Sequence, residues 1–316
     1  MKKLYSFFLM LVVITFSQFA DGQEMPADFG NYKKLNDAET RLLEFKDTDG
    51  ALRLKLLQLA IINQSRARFH AGPLKLDILA SRVANRQCRE AAEHDYLSHW
   101  NLAGEKPYVR YAMAGGYDHV SENAYSQGTS DNFEAGSVPE LLKEGHRTFM
   151  RERAPYDGHK QNVINKYHNY VGLGYWMEGG EFRYNEEYID RYISFRDIPS
   201  EMKVGVPGSI TVDTRGESYL YFMTVYRENL PKPMRVKELE RKGSYPDYTD
   251  ETVLNEAPWD LKKYRNSSVY RIPLNFKKEG LYYIQLYTDK KEFTGYGSVT
   301  TEGKEPVSGI VIKVVR

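Results

Sequence analysis

The sequence predicts an α+β chain in two units, with helices layered on a sheet as far as residue 197 and an all-β sandwich over 198–316. Three observations predict it. Two runs near the start repeat apolar residues at helical spacing. Between residues 119 and 195, strand-like alternation surrounds a further helical run. Beyond Pro199 only short period-two strands remain, punctuated by Pro and Gly, and the two halves show no repeat of each other. A length of 316 residues suits two domains of ordinary size.

Each element follows from local signals. The chain opens MKKLYSFFLMLVVITFSQFADGQ. A cationic start at Lys2 and Lys3, an apolar run over Leu4–Phe16 and a small residue at Ala20 or Gly22 predict a secretory signal peptide over 1–22. Residues 23–50 are polar and mixed in charge, and predict a linker or loosely attached N-terminal arm. Leu54, Leu57 and Ile61 mark a first helix that ends at the His70-Ala71-Gly72-Pro73 stop. Asp77 is placed to cap a second helix, on which Ala80, Ala84, Cys88 and Ala91 form a stripe of small residues suited to close packing. A loop over 96–107, a short helix over 108–114, a strand over 119–126 and a helix over 137–153 follow. Two strands, 170–178 and 181–195, meet at a Gly179-Gly180 turn. The second unit reads as strands 208–214, 219–227, 268–276, 280–288 and 309–316, the pattern of a sandwich of the immunoglobulin or fibronectin kind. The predicted domains are thus 51–197 and 198–316.

Composition excludes some functions. Lys and Arg total 44 against 43 Asp and Glu, so no global basic field draws nucleic acid or anionic membrane. Beyond the leader no run approaches the length of a membrane span. Cys88 is the single cysteine, which precludes an intramolecular disulfide. Its place on the alanine stripe predicts packing rather than nucleophilic chemistry. No Gly-x-Ser-x-Gly elbow surrounds Ser98 or Ser121, so both read as structural. The charged stretch Lys232–Arg241 reads as a solvated loop.

All seven histidines fall between positions 70 and 168. His99 follows a helix, Glu122 lies in a strand, Glu152 ends a helix on the face of Leu142 and Phe149, and His159 sits in the bend APYDGHKQNVINK. On helical spacing the Glu152 carboxylate is expected to point inward, and Gly158 to let the chain turn sharply. His94, His119, His146 and His168 read as solvated surface residues. LSHW with Gly104, then AGGY, SENAY, FMRE, GHKQNV and VGLGYW, resemble the CAP superfamily. This is the SCP domain of cysteine-rich secretory proteins, antigen 5 and plant pathogenesis-related 1 proteins. The likeness spans roughly residues 52–196. Ser121 stands where a glycine is usual and Ala103 where an aspartate is usual, and the eukaryotic disulfides are missing.

The resemblance implies an α-β-α sandwich with a cleft lined by His99, Glu122, Glu152 and His159. Asn162 is expected to tie the His159 turn together. Two neutral imidazoles, His99 and His159, suit Zn2+ or another divalent cation, with glutamates orienting them. The expected function is a non-catalytic, secreted or periplasmic protein of a bacterium, binding a small molecule, a lipid, a glycan or a cell-surface protein. The sandwich would serve attachment or recognition. The alternative is a metal-dependent extracellular peptidase or esterase with Glu122 or Glu152 as general base.

Overall fold

A computed structural model of the chain describes residues 26, 28–243, 245, 251–304 and 306–316. The expected signal peptide and its cleavage region lie outside the described residues. The first unit runs α1 (Phe29–Ala38), α2 (Asp49–Arg68), β1 (Lys75–Leu76), α3 (Ile78–Glu93), α4 (Pro107–Met113) and β2 (His119–Gly128). It continues with α5 (Val138–Arg151), α6 (Gly158–Ile164), β3 (Tyr170–Glu178) and β4 (Glu181–Asp190). As the sequence suggests, the Asp77 side chain caps α3, accepting from Ala80 N–H at 2.7 Å.

These strands form one sheet in the order β1-β3-β4-β2, parallel at β1–β3 and antiparallel elsewhere, which leaves β2 at an edge. On one face α3 lies flush on β3. A Cβ added at Gly172 would stand 2.4 Å from the Ala80 Cβ, and one at Gly174 would stand 2.3 Å from that of Ala84. The alanine stripe and the two strand glycines are therefore the two halves of one close contact. On the opposite face Leu52 and Ile62 of α2, Leu142 and Phe149 of α5 and Val163 of α6 pack on Val171, Leu173 and Tyr188. Helices on both faces make three layers, α-β-α.

The segment before α2 differs from the loose arm that its polar composition predicts. It forms α1 and docks, because a buried arginine needs acceptors. Arg82 donates to Asn36 O at 2.7 Å and to Arg41 O at 2.6 Å. Nearby, the buried Lys55 and Asp47 pair at 2.7 Å. Charges that look solvated in sequence satisfy one another beneath the segment.

The second unit comprises β5 (Ser194–Arg196), β6 (Glu201–Lys203), β7 (Gly208–Asp213), β8 (Tyr219–Glu228), α7 (Val236–Leu239) and β9 (Thr252–Glu256). Then come α8 (Pro258–Leu261), β10 (Arg265–Asn266), β11 (Val269–Leu274), β12 (Gly280–Asp289) and β13 (Ile310–Val315). One sheet is ordered β10-β11-β7-β5 and the other β6-β13-β12-β8-β9. Ile210, Ile272, Val225, Ile284 and Ile312 from both sheets share one apolar core. The expected strand over 181–195 is broken: β4 ends at Asp190, and Ser194–Arg196 pairs with β7 in the other sheet.

The two units meet over a mixed surface. Leu281, Tyr283 and Val311 pack on Tyr108, Val109 and Val120. Lys106, just before α4, bonds to Glu228, which also accepts from the Tyr283 hydroxyl at 2.6 Å. The segment after β8 crosses the first unit so tightly that a Cβ at Gly104 would lie 2.4 Å from Lys232 O. Leu239 of α7 is fully buried beside Trp100, so the stretch expected as a solvated loop is in part an anchor.

Candidate functional site

An open cleft of about 740 Å³ runs beside the free edge of β2 and contains His99, Glu122, Glu152, His159 and Asn162. All five residues singled out from the sequence therefore meet in one place. They arrive from different layers, His99 by the loop after α3, Glu122 by β2, and His159 by the first turn of α6.

Glu122 is fully buried and accepts three hydrogen bonds. His99 Nδ1 donates to its Oε1 at 2.8 Å, while Arg110 at 2.5 Å and Asn185 at 2.8 Å donate to Oε2. Arg110, also fully buried, donates its other terminal nitrogen to His99 O at 2.6 Å. One guanidinium thus ties the histidine loop to the carboxylate behind it. Burial pushes the Glu122 carboxyl up, but the Arg110 charge and the His99 bond hold it below its ordinary value. Beside it, Glu187 is buried on the adjacent strand, and both of its oxygens lack a hydrogen-bond partner. Burial and the Glu122 charge push its carboxyl well above the ordinary range, which favours its protonated form.

The second pair is built differently. Glu152 is the residue that follows α5, with extended backbone, and its side chain is 22% exposed rather than turned into the core as helical spacing suggests. It accepts from His159 Nδ1 at 2.5 Å and from the His159 and Lys160 backbone N–H groups at 3.0 and 3.3 Å. Glu152 is thus a remote cap for α6. The quoted bend is a helix start, and Gly158 has ordinary backbone geometry with open space about its α-carbon, so no sharp glycine turn operates there. His159 also packs on Phe149 at 5.0 Å.

Each carboxylate accepts a hydrogen bond from Nδ1–H, which leaves Nε2 of each ring as the lone-pair nitrogen available to a ligand. The two rings stand 6.4 Å apart between centroids. Two imidazoles sharing a tetrahedral ion at ~2.0–2.1 Å would place their centroids at about 5 Å. The donor set fits a divalent ion in kind, and fits in spacing after closure of about 1 Å. Among the described residues no group of three or more His, Cys, Asp or Glu is placed to hold a metal ion.

A further network escaped the sequence reading. His119, His146 and His168 are not solvated surface residues. His146 is buried between Glu186 and Ser65, each at 2.9 Å. His119 and His168 share Asp190, at 2.8 and 2.6 Å. Burial raises the Asp190 carboxyl, but the two imidazole bonds outweigh it and hold the group well below the usual range. His168 reaches Asn162 Oδ1 at 2.9 Å, which also accepts from the Ser121 hydroxyl at 2.6 Å. Asn162 then donates to Asn123 Oδ1, and Asn123 to His159 O, both at 3.0 Å. Asn162 therefore does tie down the turn carrying His159. The paired spacing of these side chains in three dimensions has no signal along the chain.

The second unit contributes to the cleft. Gln285, Tyr287 and Pro306 form part of its wall, and Tyr245 lies against His99 with ring centroids 4.7 Å apart. Cys88 is fully buried, and burial together with the Glu122 charge pushes its thiol well above the ordinary value, as inert packing requires.

No family model and no curated protein matches the chain. Its neighbours among solved structures include SCP-domain and cysteine-rich secretory proteins as well as superoxide reductases from Ignicoccus hospitalis, and each of these matches less than half of the chain. An extracellular protein containing an SCP domain from Bacillus anthracis str. Ames is 19% identical, with a TM-score of 0.34, over 43% of this chain and 39% of its own. An outer surface protein from Borrelia burgdorferi is 16% identical, with a TM-score of 0.35, over 44% of this chain and 92% of its own. A cysteine-rich secretory protein from Staphylococcus aureus is 14% identical, with a TM-score of 0.29, over 43% of this chain and 38% of its own. The chain thus spans about two fifths of the first and third of these. No helix of the described residues is long and apolar enough to cross a membrane.

Proposed function

We propose that this is an exported protein of the CAP type whose His/Glu cleft binds a ligand without turning it over. Its second unit, a sandwich of the immunoglobulin or fibronectin kind, serves attachment or recognition outside the cell. The observation that carries this reading is the commitment of both carboxylates. Glu122 and Glu152 each accept three hydrogen bonds, one of them from an imidazole, so both carboxylates are engaged in holding the histidines and the chain around them. What remains presented to the cleft is a pair of imidazole Nε2 atoms. The hydroxyl and amide side chains in its wall, Ser121, Asn123, Gln161 and Asn165 among them, favour a hydrogen-bonding ligand over a lipid tail.

His99 and His159 would also be the residues to hold a divalent ion. When bound, that ion would supply Lewis acidity and open coordination positions for a ligand oxygen. A two-histidine site is weak, because water must fill the other positions.

The test is a calorimetric zinc titration of metal-stripped mature protein beside the His99→Ala/His159→Ala variant, with a turnover screen on peptides and esters. One weakly bound ion, lost in the variant, with no turnover, is the expected result. Turnover that disappears in both His99→Ala and Glu122→Ala would establish the hydrolase instead. Equal zinc binding by both proteins would remove the imidazole pair as ligands.

A further inference from the structure

The floor of the cleft is an edge strand, and its backbone carries information that the side chains do not. In an antiparallel sheet the N–H and C=O of alternate residues point to opposite neighbours. Two independent bonds fix which residues of β2 point outward. Ile189 O accepts from Asn169 N–H at 3.1 Å, so this phase of β4 faces β3. Its partners across β2, Val120 with Ile189, Glu122 with Glu187 and Ala124 with Asn185, therefore turn their backbone groups away from the sheet. Consistent with this, Glu122 N–H donates outward to the Tyr245 hydroxyl at 3.0 Å. Among the described residues that is the one bond made to this outward row.

Val120 is covered by Val311 and its neighbours, so the open part of the row begins at Glu122 and continues through Ala124 to Ser126. It starts in the cleft that holds the two imidazoles and leaves it along the half-exposed strand. An unpaired edge of this kind is a template for another strand, and proteins normally cover it. Here the cover at Glu122 is a single phenol from the second unit, its hydroxyl standing where the carbonyl of an added strand would stand.

We infer that the ligand of the cleft is an extended peptide, which adds as a further strand to the β2 edge with its main chain paired to Glu122, Ala124 and Ser126. Tyr245 competes for the first of these positions. The row of donors and acceptors at strand period complements a peptide backbone, whereas a compact small molecule would use only the imidazole end. The inference rests on the binding reading of the cleft and names the class of ligand.

The test pans a displayed pool of random twelve-residue peptides on the mature chain, and resynthesises an enriched peptide. Two N-methylated versions block alternate backbone N–H groups in opposite registers. One register should lose binding at least ~10-fold and the other should keep it. Ala124→Pro removes an outward N–H without breaking a sheet bond, since an edge strand tolerates proline there, and should cost a similar factor. Tyr245→Phe frees Glu122 N–H and should tighten binding several-fold. Enrichment of nothing, or binding indifferent to both N-methylation registers or lost equally in both, would overturn the inference. Ala124→Pro leaves His99 and His159 in place, and Tyr245→Phe keeps the ring that lies against His99. A zinc titration that behaves as expected while the peptide arm fails would therefore sink the peptide and leave the binding reading standing.

Discussion

Glu122 and Glu152 hold the two cleft imidazoles by the same atom, yet they sit in different media. The first is fully buried in the sheet, beside an equally buried arginine and a second glutamate. The second is 22% exposed at a helix start, where backbone N–H groups supply two of its three bonds. In water-poor surroundings a charge must be matched, and losing one partner strands the other. At a helix terminus water can replace what is removed. One His–Glu pair is therefore part of the fold, and the other can be altered with the fold left in place.

Glu122→Ala should break this contrast most visibly. It leaves Arg110 buried without its carboxylate, and should cost ~3–5 kcal/mol in denaturant unfolding. A loss near 1 kcal/mol would show that Glu187 ionises to take the place of Glu122.

Glu187→Gln comes next, and it acts in the opposite direction. The folded chain keeps the Glu187 proton at pH values where the unfolded chain has released it, because burial raises the folded carboxyl. Stability contributed by that group is complete below the ordinary glutamate range and is lost as pH rises through the raised folded value. Glutamine stays neutral, so the variant should be more stable than the parent at pH 8, by about 1–3 kcal/mol, with the gain vanishing near pH 4. Unfolding curves at the two pH values decide it; a gain that does not depend on pH would refute the protonation argument.

Glu152→Gln has the smallest effect on stability, about 1 kcal/mol, as expected for a lost cap. Because it also loosens the Nδ1 hold on His159, its zinc affinity should fall ~10–100-fold. A large loss of stability would mean that this pair is as structural as the first.

Much of this layout is legible in the sequence. Alternation and helical spacing mark α2, α3, α5, β2, β3 and most strands of the second unit. The alanine stripe announces a closely packed helix, although only the structure shows Gly172 and Gly174 of β3 to be its partners. His99, Glu122, Glu152, His159 and Asn162 are recognisable as a set, although neither the inward turn of Glu152 nor the sharp glycine bend at Gly158 is found. What stayed hidden is polar and central. The run Tyr184–Tyr188 reads as an ordinary charged strand, but β4 is covered on both faces, so Asn185, Glu186 and Glu187 all lie in the interior.

By itself the sequence determined the elements, their period and the residue types brought to the cleft, because backbone hydrogen bonding and apolar spacing act over a few residues. Only the tertiary structure decided which charges are paired, which carboxyl keeps its proton and what covers the edge of β2. Arg110 and Glu122, and Tyr245 and Glu122, are separated by 12 and 123 positions. The strength of each bond depends on how much water the surrounding layers exclude, and that exclusion exists only once all the layers are in place.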